Sequence, residues 1–365
     1  MLAGQGFIEL LSKLVFAGSD EAFQRPAEQV GPLRSEMQQL AALSPAEWNE
    51  FVKLADSHHV TIRSLAVLEK AAVAHSYSEL AGKCRAVLNT ERTRIRHAIT
   101  KLKSVCEALE SQGCPLVVIK SLDHWPDLGS DLDLYTTVAE GCVQKLMAKK
   151  LDAAPVERSW GDRLANKWNF KVPGLPELVE IHVRYLGQTG EHKRLARRVV
   201  TRRVEKILDE MSFYVPAPEE RIMISTLQRM YRHFYFRLCD MLDVAALLHA
   251  RAVDFQELKQ TAQEGGIWPG VAAFLLLVAK YVESYGRRVE IPRAILAAAP
   301  KCDMWFENGF LRVSKISAAG LYGAQLLNAG LRHDLRAFFR LPLLPPLAIS
   351  ALLAYRLTGS DKGVW

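Results

Sequence analysis

Two aspartates separated by a single leucine, Asp131 and Asp133, constrain the fold of this chain more than any other feature. In a β-strand, side chains at positions i and i+2 leave the same face, so these carboxylates point together from Cα atoms about 6–7 Å apart. Two negative charges so placed repel each other unless a cation lies between them or water solvates them. Because hard oxygen ligands select magnesium or manganese, a Mg²⁺ or Mn²⁺ site is one interpretation, and a solvated polar strand edge is the other.

The residues before this pair predict a compact strand and turn. Residues 115–119 form a short β-branched apolar run, which is typical of a buried strand. Lys120 and Ser121 follow it, and Ser121 is predicted to cap a short helical turn. Gly129 and Ser130 then lead into the aspartate strand. Because N–H groups at a helix start and a nearby lysine can hold phosphate oxygens, these four residues are predicted to bind a nucleotide.

A third carboxylate follows in a segment that alternates strictly. Between residues 179 and 185 the apolar side chains share one face, and Glu180, His182 and Arg184 share the other. Residues 166–172 alternate in the same way and predict the hairpin partner of this strand. If the strand lies beside the aspartate strand, Glu180 completes a three-carboxylate site of the kind used in two-metal phosphoryl transfer. We expect His182 and Arg184 to contact the nucleotide, and for His182 an orienting role is as plausible as a catalytic one.

Taken in order, the apolar strand ending in Lys120, the aspartate pair and the Glu180-x-His182 strand resemble the catalytic core of the DNA polymerase β-type nucleotidyltransferase superfamily. In detail they are similar to a bacterial family of uncharacterised nucleotidyltransferases. The resemblance implies an α+β fold, in which a small mixed sheet of the polymerase β-like type is flanked by largely helical N- and C-terminal domains. It also implies transfer of a nucleoside monophosphate from an NTP to a hydroxyl acceptor by a two-metal mechanism.

The resemblance also gives each predicted site residue a role. Asp131 and Asp133 would bind both magnesium ions. Glu180 would bind the catalytic ion and help to deprotonate the acceptor. Lys120 and Ser121 would position the β- and γ-phosphates. Positioning and charge stabilisation account for most of the acceleration in phosphoryl transfer, so these roles suffice for an enzyme.

Two departures from the family pattern leave an alternative open. Ser121 stands where the family has a glycine, which adds a Cβ close to the expected phosphate position. Asp127 stands in the region where the family has an arginine. The alternative is a catalytically degenerate module that keeps the fold in order to bind a nucleotide or a partner. Retention of all three carboxylates favours the enzyme.

The chain divides into four predicted segments. Residues 1–100 are a helical N-terminal domain, residues 101–215 the α/β core, residues 216–331 a helical C-terminal domain, and residues 332–365 an apolar, proline-containing tail. The third segment is predicted to include one helix over residues 221–251, with its aromatic residues in the core. The tail is too short and too interrupted by proline to be a predicted membrane span. It is predicted to dock on the helical domain or, alternatively, to contact a membrane surface.

The charge and the cysteines bear on the binding partner and on the cellular compartment. A formal charge of +7 hints at an anionic partner, and residues 193–206, predicted as a helix, carry a dense run of arginine and lysine. This run indicates either a surface for nucleotide phosphates or RNA, or a solvated basic face, and RNA is not the favoured partner. The six cysteines lack metal-finger spacing and are predicted to be buried free thiols. Without a predicted signal peptide, we expect a cytoplasmic protein.

Overall fold

The computed structural model of the protein describes residues 4–18, 33–358 and Gly363. Among these residues, five helices precede the sheet: α1 (Gly4–Gly18), α2 (Arg34–Ala41), α3 (Pro45–Ser57), α4 (Thr61–Ala74) and α5 (Ser78–Glu110). The long α5 buries Leu88, Ile95, Leu102 and Leu109, which recur every seven residues along one side. Truncating one such leucine to alanine typically costs about 2–5 kcal/mol, so this stripe fixes α5 against its neighbours.

A five-stranded mixed sheet contains the segments that the sequence singled out. Its strands are β1 (Leu116–Val118), β2 (Asp131–Thr136), β3 (Ala154–Pro155), β4 (Lys167–Lys171) and β5 (Leu178–Val183), in the order β1-β2-β5-β4-β3. β2 and β5 run parallel, and Asp133 lies beside Glu180 in their register. β4 pairs antiparallel with β5 and sets Asn169 beside Glu180. The predicted hairpin, and the predicted position of the Glu180 strand beside the aspartate strand, are confirmed.

Helices α6 (Glu140–Leu151) and α7 (Trp160–Ala165) connect strands of this sheet. The chain then forms α8 (Lys193–Thr201), the hairpin of β6 (Val204–Leu208) and β7 (Met211–Val215), α9 (Pro218–Gln228), a π-helical turn (Arg229–His233), β8 (Tyr235–Phe236) and α10 (Leu238–His249). It ends with α11 (Phe255–Glu264), α12 (Trp268–Ser284), α13 (Arg293–Ala297), β9 (Met304–Glu307), β10 (Phe310–Val313), α14 (Lys315–Leu331), α15 (Leu335–Arg340), a 3₁₀ turn (Leu341–Leu343) and α16 (Leu344–Thr358).

This arrangement confirms the predicted α+β fold with a small mixed sheet flanked by largely helical segments. Buried apolar side chains from Phe7 to Leu321 form one continuous core, and Phe51, Tyr135 and Phe274 are fully buried within it. A contiguous contact network of this kind is how a single hydrophobic core is recognised. The four predicted domain segments stay a prediction.

The single helix predicted over residues 221–251 is wrong. The helix ends at Gln228 and widens into the π-helical turn, and Phe234 then takes a left-handed backbone conformation with φ of 57°. The buried Arg229 guanidinium holds the break in place, because its Nε lies 2.7 Å from an Asp240 carboxylate oxygen at the start of α10. This ion pair joins the segments on the two sides of the break and gives each buried charge an opposite partner.

The single helix predicted over the basic run is also wrong, since α8 ends at Thr201 and β6 begins at Val204. Several of its cations are matched inside the molecule. Arg198 lies 2.9 Å from the buried Glu220 carboxylate, and Arg202 lies 3.0 Å from that of Glu219. Part of the positive charge in this run is therefore neutralised by the protein itself.

The cysteines are mostly buried, whereas the C-terminal tail is mostly exposed. All six cysteines are free; five are buried as predicted, but Cys142 is exposed on α6. One helical stretch among the described residues, Leu335–Thr358, is long and apolar enough to cross a membrane by length and composition. Of its most apolar window, 18% is buried against the protein. Part of the predicted tail lies outside the described residues.

Candidate functional site

Three acidic side chains meet at the ends of two neighbouring strands. The alternation of β2 and β5 puts Asp131, Asp133, Glu180 and His182 on the same side of the sheet, and the carboxylates of the three acids line one cavity of about 200 Å³. Donor atoms of Asp133, Glu180 and His182 all lie within 4.8 Å of one another. Asp131 stands one pleat further along β2. Sequence periodicity therefore identified the acidic wall of this cavity.

Two lysines and a histidine contact the acids directly. Lys120 Nζ lies 2.5 Å from Asp133 Oδ1. Lys167, which β4 places beside His182, has its Nζ 2.6 Å from Glu180 Oε2. His182 Nε2 lies 2.8 Å from Glu180 Oε1, although the orientation does not make a well-aligned hydrogen bond. Asp133 and Glu180 are therefore matched by cations that belong to the protein.

The surroundings of these acids shift their titration in opposite directions. Burial raises the pKa of Asp131, and the nearby charges of Asp133 and Glu180 raise it further. Burial acts to raise the pKa of Glu180 as well, but Lys167 and His182 outweigh it and hold that pKa well below its ordinary value. Glu180 is thus ionised at neutral pH, as a carboxylate must be to bind a cation.

The turn between β1 and β2 is built by Lys120 and Ser121, but not as predicted. Lys120 adopts a left-handed conformation with φ of 65° at the end of the first strand, and a 3₁₀ turn runs from Ser121 to His124. Ser121 Oγ accepts the Asp133 N–H at 2.8 Å and donates to the Asp131 carbonyl at 3.2 Å. The predicted helix cap at Ser121 is wrong, because its hydroxyl is bonded to the aspartate strand instead.

The remaining predicted nucleotide-binding residues divide into two groups. Gly129 and Ser130 line the cavity with the acids. A Cβ at Gly129 would lie 3.0 Å from the His59 ring, so a larger residue would press against that ring. Arg184 is exposed and does not line the cavity, contrary to the prediction. β5 ends at Val183 and Arg184 turns into a left-handed conformation with φ of 66°, so it does not continue the polar face of the strand.

The opposite wall of the cavity comes from the broken helix and was missed by sequence reasoning. Its lining side chains are Gln228, Arg229, Arg232, His233, Tyr235 and Arg237, joined by His59. The aromatic run was predicted to be core, and Tyr231 and Phe236 are buried, but His233 and Tyr235 face the cavity. Among the described residues, Arg232 and Arg237 form no ion pair with a carboxylate. The clustering of arginine with aromatics in residues 229–237 was the available signal.

A buried polar network supports this wall. Asp127 accepts the Ile62 N–H at 2.6 Å and the Arg63 Nε–H at 3.0 Å, so it caps α4. The Arg63 guanidinium also contacts Asp243 at 2.7 Å, and Asp243 lies 2.5 Å from His124 Nδ1. Asp127 thus anchors an arginine that another helix supplies.

Two further contacts order the loops around the cavity. Arg94 on α5 contacts Glu177 at 2.6 Å and donates to the Leu128 carbonyl at 2.9 Å, which holds the loop before β2. His58 accepts the Leu238 N–H at 3.0 Å with Nδ1 and bonds the Gly309 carbonyl at 2.7 Å with Nε2. Burial lowers the pKa of His58 to about 4, so it stays neutral in both contacts.

The donor set fits a magnesium ion. Asp133 and Glu180 offer carboxylate oxygens close enough to share one cation, and oxygens are the ligands that Mg²⁺ prefers. Asp131 adds a third carboxylate in the same cavity. Burial raises its pKa first, and the nearby charges of Asp133 and Glu180, which a cation would offset, raise it further. The cavity is lined by five lysine and arginine side chains and three acids, so it also suits a polyanion.

No family model and no curated protein matches the chain. Among solved structures, the chain is similar to an antigenic nucleotidyltransferase-like protein from Paracoccidioides brasiliensis. The two share 15% identity with a TM-score of 0.38, and the match covers 57% of this chain and 95% of that chain. What this chain does is therefore inferred from the site itself.

Proposed function

We propose that this chain is a cytoplasmic, magnesium-dependent nucleotidyltransferase of the polymerase β-like type, akin to the bacterial family that its motifs resemble. It transfers a nucleoside monophosphate from an NTP to a hydroxyl of a small molecule, a protein or an RNA. The observation that carries the proposal is one cavity with carboxylates on one wall and arginines on the other. Asp133 and Glu180 form the first wall, and Arg232 and Arg237 belong to the second.

In the proposed reaction, the acceptor oxygen attacks the α-phosphorus of the NTP and the bond from that phosphorus to the bridging oxygen breaks. Pyrophosphate leaves, and the acceptor proton passes to a carboxylate of the acidic wall and then to water. When bound, magnesium supplies positive charge at the phosphoryl oxygens. Asp131, Asp133 and Glu180 would hold two such ions, with Glu180 also facing the acceptor.

The protein's own cations complete the site. Arg232 and Arg237 are free of carboxylate partners among the described residues, so they are available to bind the β- and γ-phosphates. Lys120 joins them once it leaves Asp133. Ser121 holds the backbone of Asp131 and Asp133 rather than contacting phosphate. In this proposal, residues of the broken helix stabilise the leaving pyrophosphate, and residues of the sheet activate the acceptor hydroxyl.

The test is to incubate the protein with each α-labelled NTP, magnesium and a cell extract, and to ask which molecule acquires label. Asp133→Asn and Glu180→Gln should each abolish transfer. The matched controls Asp303→Asn and Glu50→Gln alter exposed carboxylates and should keep full activity. Absence of label from every NTP, with magnesium or manganese, would refute the proposed transferase.

The ion pairs of Lys120 with Asp133 and of Lys167 with Glu180 favour one alternative function. Because they neutralise the acids without a metal, they also suit a catalytically degenerate module that binds a nucleotide. Calorimetry separates the two. A binding module would take up NTP without transfer, and Arg232→Ala with Arg237→Ala would weaken that uptake at least tenfold, the size expected for lost charge-assisted contacts. The exposed Arg92→Ala is the control.

A further inference from the structure

The C-terminal helices expose an unusual amount of apolar surface. Of the sixteen exposed large apolar side chains described in the protein, ten lie between residues 316 and 357. They are Ile316, Leu327, Leu331, Leu335, Phe338, Phe339, Leu343, Ile349, Leu353 and Leu357. Scattered exposed apolar residues need no explanation, but a concentration of this kind marks an interaction surface. We call these ten residues the C-terminal apolar surface.

Helix α15 shows how this surface is oriented, because its polarity is inverted. Arg336 Nε donates to the Gly190 carbonyl at 2.7 Å and Arg340 donates to the Leu164 carbonyl at 2.7 Å, so both cations point into the protein. On the same helix, Leu335 is 67% exposed and Phe339 is 68% exposed. A helix that faces water places its apolar side inward and its charges outward. α15 does the reverse.

The charges around the surface are mostly positive. Residues 315–358 contain five arginines and lysines and a single acid, Asp334. Asp334 accepts the Ala337 N–H at 3.1 Å and thereby caps α15. With Arg336 and Arg340 turned inward, Lys315, Arg332 and Arg356 remain exposed beside the apolar side chains. Cations beside exposed aliphatic and aromatic side chains match the boundary between anionic headgroups and acyl chains.

We propose that the C-terminal apolar surface docks this protein on an anionic lipid bilayer as a peripheral contact. A second copy of the chain fits less well, because a two-fold interface would bring identical sets of cations together. A membrane span fits less well too. Arg340 ties α15 to the core, and the 15 residues of α16 alone reach about 22 Å, short of the roughly 30 Å hydrocarbon layer.

The test is sedimentation of the full chain with phosphatidylcholine vesicles and with vesicles that also contain phosphatidylserine. The protein should bind the anionic vesicles, and added salt should weaken the binding. Phe339→Asp should weaken it by about tenfold or more. The matched control is Ile207→Asp, because Ile207 is 69% exposed on a hairpin outside the C-terminal apolar surface. Thermal unfolding should show that both variants fold.

Several outcomes would overturn the proposal. One is an absence of binding to anionic vesicles at low salt, and another is equal loss of binding in the two variants. A third is a dimer in sedimentation velocity that Phe339→Asp dissociates, since the surface would then be an interface between copies. The fourth is protein that alkaline carbonate fails to release from membranes, because that behaviour shows a span. Vesicle binding needs no nucleotide transfer, so its result is independent of the proposed activity.

Discussion

Replacing Asp133 by asparagine removes two opposing interactions of the Asp133 charge, its attraction to Lys120 and its repulsion by Glu180. At the 2.5 Å separation from Lys120, an effective dielectric constant of 20 gives an attraction of about 7 kcal/mol. Because the donor atoms of Asp133 and Glu180 lie within 4.8 Å of each other, the repulsion is at least about 3.5 kcal/mol. The attraction exceeds the repulsion, so removing the Asp133 charge should destabilise the protein although it relieves crowding among the acids.

The net effect is smaller than the difference between the attraction and the repulsion. A neutral amide is easier to bury than a carboxylate, which offsets part of the lost attraction. We expect Asp133→Asn to lower the free energy of unfolding by about 1–2 kcal/mol and the thermal midpoint by about 1–3 °C, in buffer with a chelator. The same variant should lose nucleotide transfer.

A double-mutant cycle with Lys120→Met isolates the ion pair. Each single change should destabilise the protein, because each leaves a charge unmatched in a largely buried site. The double change should destabilise it less than the sum, with a coupling of about 1–3 kcal/mol from urea unfolding. A midpoint that rises in Asp133→Asn would refute the reasoning and show that repulsion among the acids dominates. Additive single changes would refute it as well, because they would show that Lys120 and Asp133 are not coupled.

Two further predictions concern pH and nucleic acid. Because the pKa of His58 is lowered to about 4 in the folded protein, the free energy of unfolding should fall by about 3 kcal/mol as pH drops from 6.5 to 4, apart from other groups. In urea unfolding across that range, His58→Gln should remove this dependence and the exposed His75→Gln should not. We expect the protein to show no RNA binding at low salt, although Lys193, Arg194 and Arg197 are exposed. If RNA does bind, and if the affinity depends less steeply on log salt when these three residues are changed to alanine, they form an RNA surface.

The acidic wall was predictable from sequence because local periodicity decides it. Alternation puts Asp131 and Asp133 on one face of β2, and it puts Glu180 and His182 on one face of β5. A buried apolar face on each strand then fixes the register, since a shift by one residue would turn every side chain to the wrong side. Once β2 and β5 pair, the carboxylates of these two strands lie close together.

The arginine wall was not predictable in this way, because a tertiary contact creates it. The apolar pattern of residues 221–251 continues through the break, so local periodicity predicts one helix. The break coincides with the ion pair of Arg229 and Asp240 and with the left-handed turn at Phe234 that follows. Arg63 illustrates the same limit, because its place beside Asp127 follows from the packing of α4 and from no motif in the sequence.

The two walls together suggest why the free site is stable despite its acids. Lys120 and Lys167 each hold a carboxylate that a cation would otherwise need to neutralise. An ammonium released from a carboxylate becomes free to hold a phosphate oxygen, so any cation that takes Asp133 from Lys120 also improves the site for a triphosphate. Because such coupling is reciprocal, bound triphosphate must favour the cation by the same factor. The ion pairs that resemble a sign of degeneracy are therefore equally consistent with an enzyme that binds its metal and its nucleotide together.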